Sequence, residues 1–401
     1  MKAAAWRLTA AAAGLMALIA GSRASFGMFL SPLNTATGLG MASISLAAAA
    51  GQLAAGLALP VVGSLARRFG TARVIAGGAC LLGLGTAGLV AVHSLVALVI
   101  LMLIVFAAGT AVASNALLIG EVSQRTGAAN RGLAAGVISA GGPAGQLVLA
   151  PVVTAAIALQ GWVAALCGLG VLALLALPLA RSFQTRTAAW VQAHGGAASS
   201  GASLRDARFW LIAGSFAMCG FHVAFLTVHM PGVIERCGMP ASFTGLWLAI
   251  TGIANMTGSI GIGFAMKRCA SAPLLALVYG LRVVSILGFL WLPRTGSTLI
   301  GFALAMGITY MAALPPTAEL LSRHFGVERL SALLGAIMLI HQIGGFFGAW
   351  LGGVAVEHGG SYAPLWVADL CLAAAAAGMQ LALMRISSPK WVGPIRRPML
   401  G

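Results

Sequence analysis

Charge is what this sequence has least of. Only 7% of its 401 residues are Asp, Glu, Lys or Arg, against about 25% in soluble domains. Seven acids and 23 basic residues cannot solvate the surface of a chain this long. Lysine is nearly absent, limited to Lys2, Lys267 and Lys390. Cysteine is sparse and scattered (Cys80, Cys167, Cys219, Cys237, Cys269, Cys371) with no C-x-x-C. That spacing excludes a disulfide framework and a cysteine metal site, and the six read as small buried hydrophobes. There is no H-E-x-x-H, no G-x-S-x-G and no Walker sequence. Neither a metal nor a cofactor is therefore expected. Apolar residues abound at 60%, with 54 glycines besides, and the mean hydropathy is +0.99. Such a chain is a polytopic membrane protein whose first partner is the lipid bilayer.

About 20 apolar residues cross the hydrocarbon layer. Twelve such runs are expected, near 8–30, 43–66, 72–93, 96–120, 131–158, 162–180, 209–231, 242–266, 272–292, 297–321, 331–356 and 361–385. The net charge of +16 could suggest a nucleic-acid partner, but its distribution is a topology signal. Only Arg236 and Arg294 fall in the odd-to-even loops, and Arg23 and Arg282 lie inside spans. The other nineteen basic residues lie in the termini and the even-to-odd loops. The positive-inside rule then puts both termini in the cytoplasm. Lys2 and Arg7 precede the first apolar stretch as in a signal peptide, but the stretch resumes at Phe26–Leu30, too long for one.

A polar stretch at 182–208 separates six spans from six: an N-terminal bundle, 1–181, and a C-terminal bundle with a short basic tail, 209–401. A shift of 200 residues superimposes the halves. Gly63–Arg68 falls on Gly263–Arg268, and Gly141–Gly145 on His341–Gly345. Parallel six-helix repeats around a central path are a secondary-transporter architecture, with the site between the halves.

The segment Gly63-x-Leu65-Ala66-x-Arg68-Phe69-Gly70-x-x-Arg73 resembles the loop signature of the major facilitator superfamily. It carries Arg67 where that signature has Asp. Arg131-x-Leu133-Ala134-x-Gly136-x-x-x-Ala140-Gly141 is similar to the monocarboxylate-porter signature, with Ile138 at a place usually Ala. Ser25–Phe29, Gly161-Trp162, His229-x-Pro231 and His341–Gly348 look like bacterial, oxalate/formate-type members of that group. Two features depart from it: the first-span acid is absent, and the eighth-span Asp-x-x-x-Arg pair reads Asn255-x-x-x-Ser259. The resemblance implies an all-α membrane fold of twelve helices, two six-helix bundles, and alternating access gated by the loop of Gly63, Arg68, Gly70 and Arg73.

An ionisable group in the hydrocarbon layer costs about 2.5–3.5 kcal/mol on insertion scales, so each needs a reason. The resemblance implies that the first span lines the cavity, which makes Arg23 a candidate cation for an anionic substrate; snorkelling is the alternative. Arg282 is either a ligand or a partner of Asp369 or Glu319. His341, His222 and His229 could each carry a proton or simply bond a backbone carbonyl. Asp369, the carboxyl placed mid-span, is a further coupling candidate. Gln342, Asn115, Asn255, Thr251 and Tyr310 supply neutral donors and acceptors, any of which could serve helix packing instead. Glycine ridges at Gly132, Gly136, Gly141 and Gly145 and at Gly344, Gly348 and Gly352 suit two bundles that rock over one another.

The expected function is secondary transport of a small organic anion, with a monocarboxylate as first candidate, in a bacterial inner membrane. Proton symport and anion exchange are both open. Pro143 suggests proton-coupled drug export as the runner-up, although Ala111–Asn115 lacks the Arg of the drug exporters' relay. A membrane-embedded enzyme and a transport-inactive sensor are the alternatives of other classes. No obligatory protein partner is evident.

Overall fold

A computed structural model describes residues 3–126, 130–183 and 203–387. The centre of the 182–208 stretch and the basic tail, with Lys2, Arg186, Lys390, Arg396 and Arg397, lie outside the described residues. The described chain is helical, from α1 (Ala3–Ser25) and α2 (Leu30–Thr37) through α3 (Met41–Phe69), α4 (Thr71–Gly88), α5 (Leu95–Val112), α6 (Asn115–Arg125), α7 (Arg131–Ala173) and α8 (Ala176–Ala180). After the undescribed segment come α9 (Ala207–Arg236), α10 (Ala241–Ala265), α11 (Ser271–Trp291), α12 (Gly296–Tyr310), α13 (Leu314–Phe325), α14 (Val327–Gly359) and α15 (Ala363–Ser387).

Eleven helical stretches among the described residues are long and apolar enough to cross a membrane. The difference from the expected twelve lies in one place. The fifth and sixth expected spans run together as Gly132–Phe183, 52 residues, more than twice what a bilayer requires at about 1.5 Å per residue. The run is interrupted at Gly161, whose φ of 82° and ψ of 166° belong to a region only glycine occupies without strain.

Two other stretches break without leaving the bundle. Helix α5 stops at Ala113 (φ −134°, ψ 67°), and the chain restarts as α6 behind Ser114, whose hydroxyl accepts from Leu117 N. Helix α12 stops at Met311, and α13 restarts with Pro315 and Pro316 in its first turn, where a missing N–H costs nothing. The breaks stand about 200 residues apart, the period of the sequence repeat.

Backbone approach, made possible by glycine, sets the packing. A Cβ at Gly141 or Gly145 would run into the backbone of Ala13 or Ala17, so α7 lies directly on α1. Gly344 and Gly348 meet the backbone of Ala217 and Phe221 in the same way, and Gly352 meets the His229 ring, seating α14 on α9. This corrects the expectation that these ridges slide between the two sets of helices. Each ridge packs against a helix from its own side of the polar stretch, and Gly132 and Gly136 face open space. The seam between N-terminal and C-terminal helices is formed by α3 against α14 and by α7 against α10. There, different glycines make the approach: Gly353 against Met41 and Ser45, and Gly252 against Pro143 and Leu147.

Candidate functional site

Arg23 stands past the middle of the Ala5–Thr37 stretch. Its Nη2 donates to Oε1 of Gln52, and its guanidinium lies 5.2 Å from the centre of the Phe106 ring. Among the described residues no carboxylate lies within ion-pair distance of it. A guanidinium has five N–H donors, and among the described residues one is taken, by Gln52. The arrangement is a fixed cation whose counter-charge is not supplied by the described chain.

The residues around Arg23 come from both sides of the seam. Gln52 on α3 also offers its backbone carbonyl to Nε2 of Gln342 on α14, at 2.8 Å. The Gln342 Oε1 lies 3.2 Å from His341 Nδ1, and the imidazole packs 4.6 Å from the Phe216 ring. Tyr310 Oη is 2.5 Å from Thr227 Oγ1, and that hydroxyl itself donates to Val223 O. Tyr310 Oη also reaches Val223 O at 3.5 Å, so either hydroxyl can donate within the pair. Arg23 and Gln342 thus meet at the seam through Gln52, with His341 beside Gln342, and sequence reasoning missed Gln52, Phe106 and Thr227. A signal for Gln52 existed, since it is the amide inside an otherwise apolar span.

His222 and Asp369 also come together, away from the seam. His222 Nδ1 is 2.7 Å from Asp369 Oδ2, and the two residues are 2% and 1% exposed. Each keeps one buried polar atom without a partner, Nε2 of His222 and Oδ1 of Asp369.

Arg282 is 1% exposed, but it is paired with neither acid considered for it. Asp369 is taken by His222, and Glu319 bonds Arg323 at 2.5 Å. The Arg282 Nη2 donates to Thr309 O at 2.7 Å and Tyr310 O at 3.4 Å, and Nε donates to Thr309 Oγ1. Asn255 Oδ1 accepts Met311 N at 3.3 Å from the other side of the same break. Backbone groups freed by a helix break inside a membrane must be satisfied within the protein. Arg282 and Asn255 do this for the end of α12, so backbone bonds stand where an ion pair was considered for Arg282, and Asn255 has a structural bond.

The remaining candidates separate. His229 Nε2 is 2.6 Å from Ala349 O, the backbone bond weighed for it. Thr251 bonds Trp247 O, and Ser259 bonds Asn255, within α10. Asn115 is exposed at the start of α6. In the loop after α3, Gly70 turns the chain at φ 89°. Arg68 stacks 5.2 Å over Phe69, and Arg73 reaches Phe69 O. With Arg67 in place of an acid, the loop is tied down instead by Thr71, which donates to Glu121 at 2.5 Å.

Comparison with known proteins agrees with this architecture. The Major Facilitator Superfamily description matches residues 12–349. An uncharacterized MFS-type transporter, YcxA of Bacillus subtilis (strain 168), is 25% identical over 261 residues. The match spans 61% of this chain and 61% of that relative. In three dimensions the chain is similar to the nucleoside transporter NupG, with a TM-score of 0.77 at 14% identity over 97% of this chain and 100% of that one. It is also similar to a D-xylose-proton symporter, with a TM-score of 0.74 at 17% identity, covering 94% and 97%. These identities speak for fold alone. The chain is a multi-pass membrane protein, and it belongs to the Major Facilitator Superfamily.

Proposed function

We propose that the protein is a secondary transporter that moves a small organic anion by alternating access between two bundles, residues 1–181 and 209–401. The interruption at Gly161 divides Gly132–Phe183 into two crossings, giving twelve in all. With the basic residues on one face, both termini are cytoplasmic, and the Arg composition points to a bacterial inner membrane. The observation that carries the substrate reading is Arg23, a cation at the seam with only neutral partners among the described residues. An anion arriving there supplies the missing counter-charge and competes with Gln52 Oε1 for the guanidinium. Because Gln52 also holds Gln342 across the seam, occupancy and closure act on one residue. Monocarboxylates are the first class to test.

Proton coupling is assigned to the His222–Asp369 pair, because Asp369 is a fully buried carboxyl and the imidazole beside it can hold or release the proton. His341, which lies beside Gln342 at the seam, is the competing carrier. A thermal-shift screen of the purified protein against small carboxylates identifies the ligand, since a bound anion stabilises the folded state by mass action. Counterflow of that ligand in liposomes then tests transport. Stabilisation by neutral nucleosides or sugars, with no response to any carboxylate, overturns the anion reading.

A further inference from the structure

Two arginines stand on the face opposite the basic loops, and both line a single cavity. Its walls are Val233, Arg236, Arg294, Ser361, Tyr362 and Trp366, and it encloses about 220 Å³. Arg236 ends α9, donates to Gly360 O and lies 5.6 Å over the Tyr362 ring. Arg294 lies 5.5 Å over the Phe289 ring, beside the Cys237 thiol. Neither has a carboxylate within ion-pair distance among the described residues. The acid whose charge reaches the cavity wall is Glu235, felt at the Tyr362 phenol, which burial pushes up to about 12. Ser361 Oγ accepts from Ala363 N at the start of α15, so the N-terminal end of a 25-residue helix adds positive potential to the same wall.

Basic residues are depleted on this face by the positive-inside rule, so two exceptions converging on one cavity need a reason. Trp291, three residues before Arg294 and 84% exposed, marks the depth at which aromatic side chains meet lipid headgroups. We propose that this cavity binds a phosphate-type oxyanion, held between the Arg236 and Arg294 guanidiniums. A tetrahedral oxyanion has enough acceptor oxygens to engage both forks. The same chemistry is offered by free phosphate and by the phosphodiester of a lipid headgroup. The assignment is independent of what crosses at the seam.

The test uses the purified full chain with two probes: inorganic phosphate by titration calorimetry, and phosphatidylglycerol adducts by native mass spectrometry. Arg236→Gln and Arg294→Gln should each weaken binding about tenfold, the loss of one charge-assisted contact of about 1.4 kcal/mol. Glu235→Gln should tighten it, because a repelling carboxylate is removed. Arginine-dependent binding of inorganic phosphate identifies a free-anion site. Arginine-dependent adducts without phosphate binding identify a headgroup site. If Arg236→Gln does not fold for want of the Gly360 bond, Arg294→Gln, which gives up a ring contact and a thiol contact but no backbone bond, decides alone. Binding of neither probe, or binding indifferent to both arginines, overturns the proposal.

Discussion

The carboxylate of Glu357, near the end of α14, accepts a hydrogen bond at 2.7 Å from the backbone N–H of Ala42, in the first turn of α3. The first N–H groups of a helix have no partner within it, and a negative charge there is favoured by the helix dipole. The bond spans 315 residues of sequence and ties one end of the seam shut. Gly40 makes room for it, since a Cβ there would come within 2.7 Å of the carboxylate.

Glu357→Gln keeps the shape and removes the charge, which should cost about 1 kcal/mol of closure. Hydrogen exchange at the amides of Ala42 to Ser45 should then rise about fivefold. Unchanged exchange would show that α3 is held there by packing alone.

The buried polar groups differ in whom they serve. A double-mutant cycle between His222→Leu and Asp369→Leu should give a coupling of about 1–3 kcal/mol on detergent stability. The cycle between Arg282→Leu and Asp369→Leu should give a smaller coupling than the first, because Arg282 bonds Thr309 and Tyr310 and meets Asp369 only through space. Arg282→Leu alone should still be severe, since it strands two buried carbonyls at about 1–3 kcal/mol each.

Arg23→Lys should bind the transported anion weakly, and Arg23→Gln should not bind it, because only Lys keeps a cation. Isotherms for the anion found in the thermal-shift screen check this. Wild-type affinity in Arg23→Gln would make Arg23 a structural residue.

Glycine substitutions should divide by neighbour. Gly145→Ala and Gly344→Ala each push a methyl into another helix's backbone and should cost about 1–3 kcal/mol. Gly136→Ala, with nothing within 4 Å, should stabilise by about 0.5–1 kcal/mol through helix propensity. Thermal unfolding in detergent separates the two classes.

Asp206 caps α9 by accepting from Arg208 N, and the Arg208 side chain bonds both its oxygens. Those hydrogen bonds hold its carboxyl below the usual carboxylate range. The folded value is thus below the unfolded one of about 3.9. The stabilisation is complete above that pH and is lost as pH falls through the folded value. Asp206→Ala should lower stability by about 1 kcal/mol at neutral pH, and the deficit should vanish once pH falls below the folded value. A deficit that persists in acid would assign the loss to helix propensity.

The spans and most of their limits were legible in the apolar runs, and Gly161 fell in the gap expected between two of them. The end of α12 also left a mark, in Pro315 and Pro316. The matching stop at Ala113 has no proline, only Ser114, and passed as continuous helix. What could not be read was who meets whom. His222 and Asp369 are 147 residues apart, and Arg23 is 29 from Gln52, so both pairings depend on how helices are seated. The glycine spacing announced that backbones touch, but it carried no label for the partner helix. The bonds of Arg282 left no mark in the sequence, because its backbone partners are carbonyls, which every residue has.

The two interrupted stretches are unequal in stiffness. At the end of α12, a guanidinium and an amide from two neighbouring helices clamp the open backbone. At Ala113 the chain is held by its own Ser114, with no charged side chain on the interruption among the described residues. A pseudo-symmetric pair with one locked and one loose joint does not bend in unison. The α6 segment is held farther along, where Glu121 accepts from Thr71, while α13 is fixed through the break itself. Resistance to bending therefore lies at the break itself in the C-terminal half and at a remote contact in the N-terminal half.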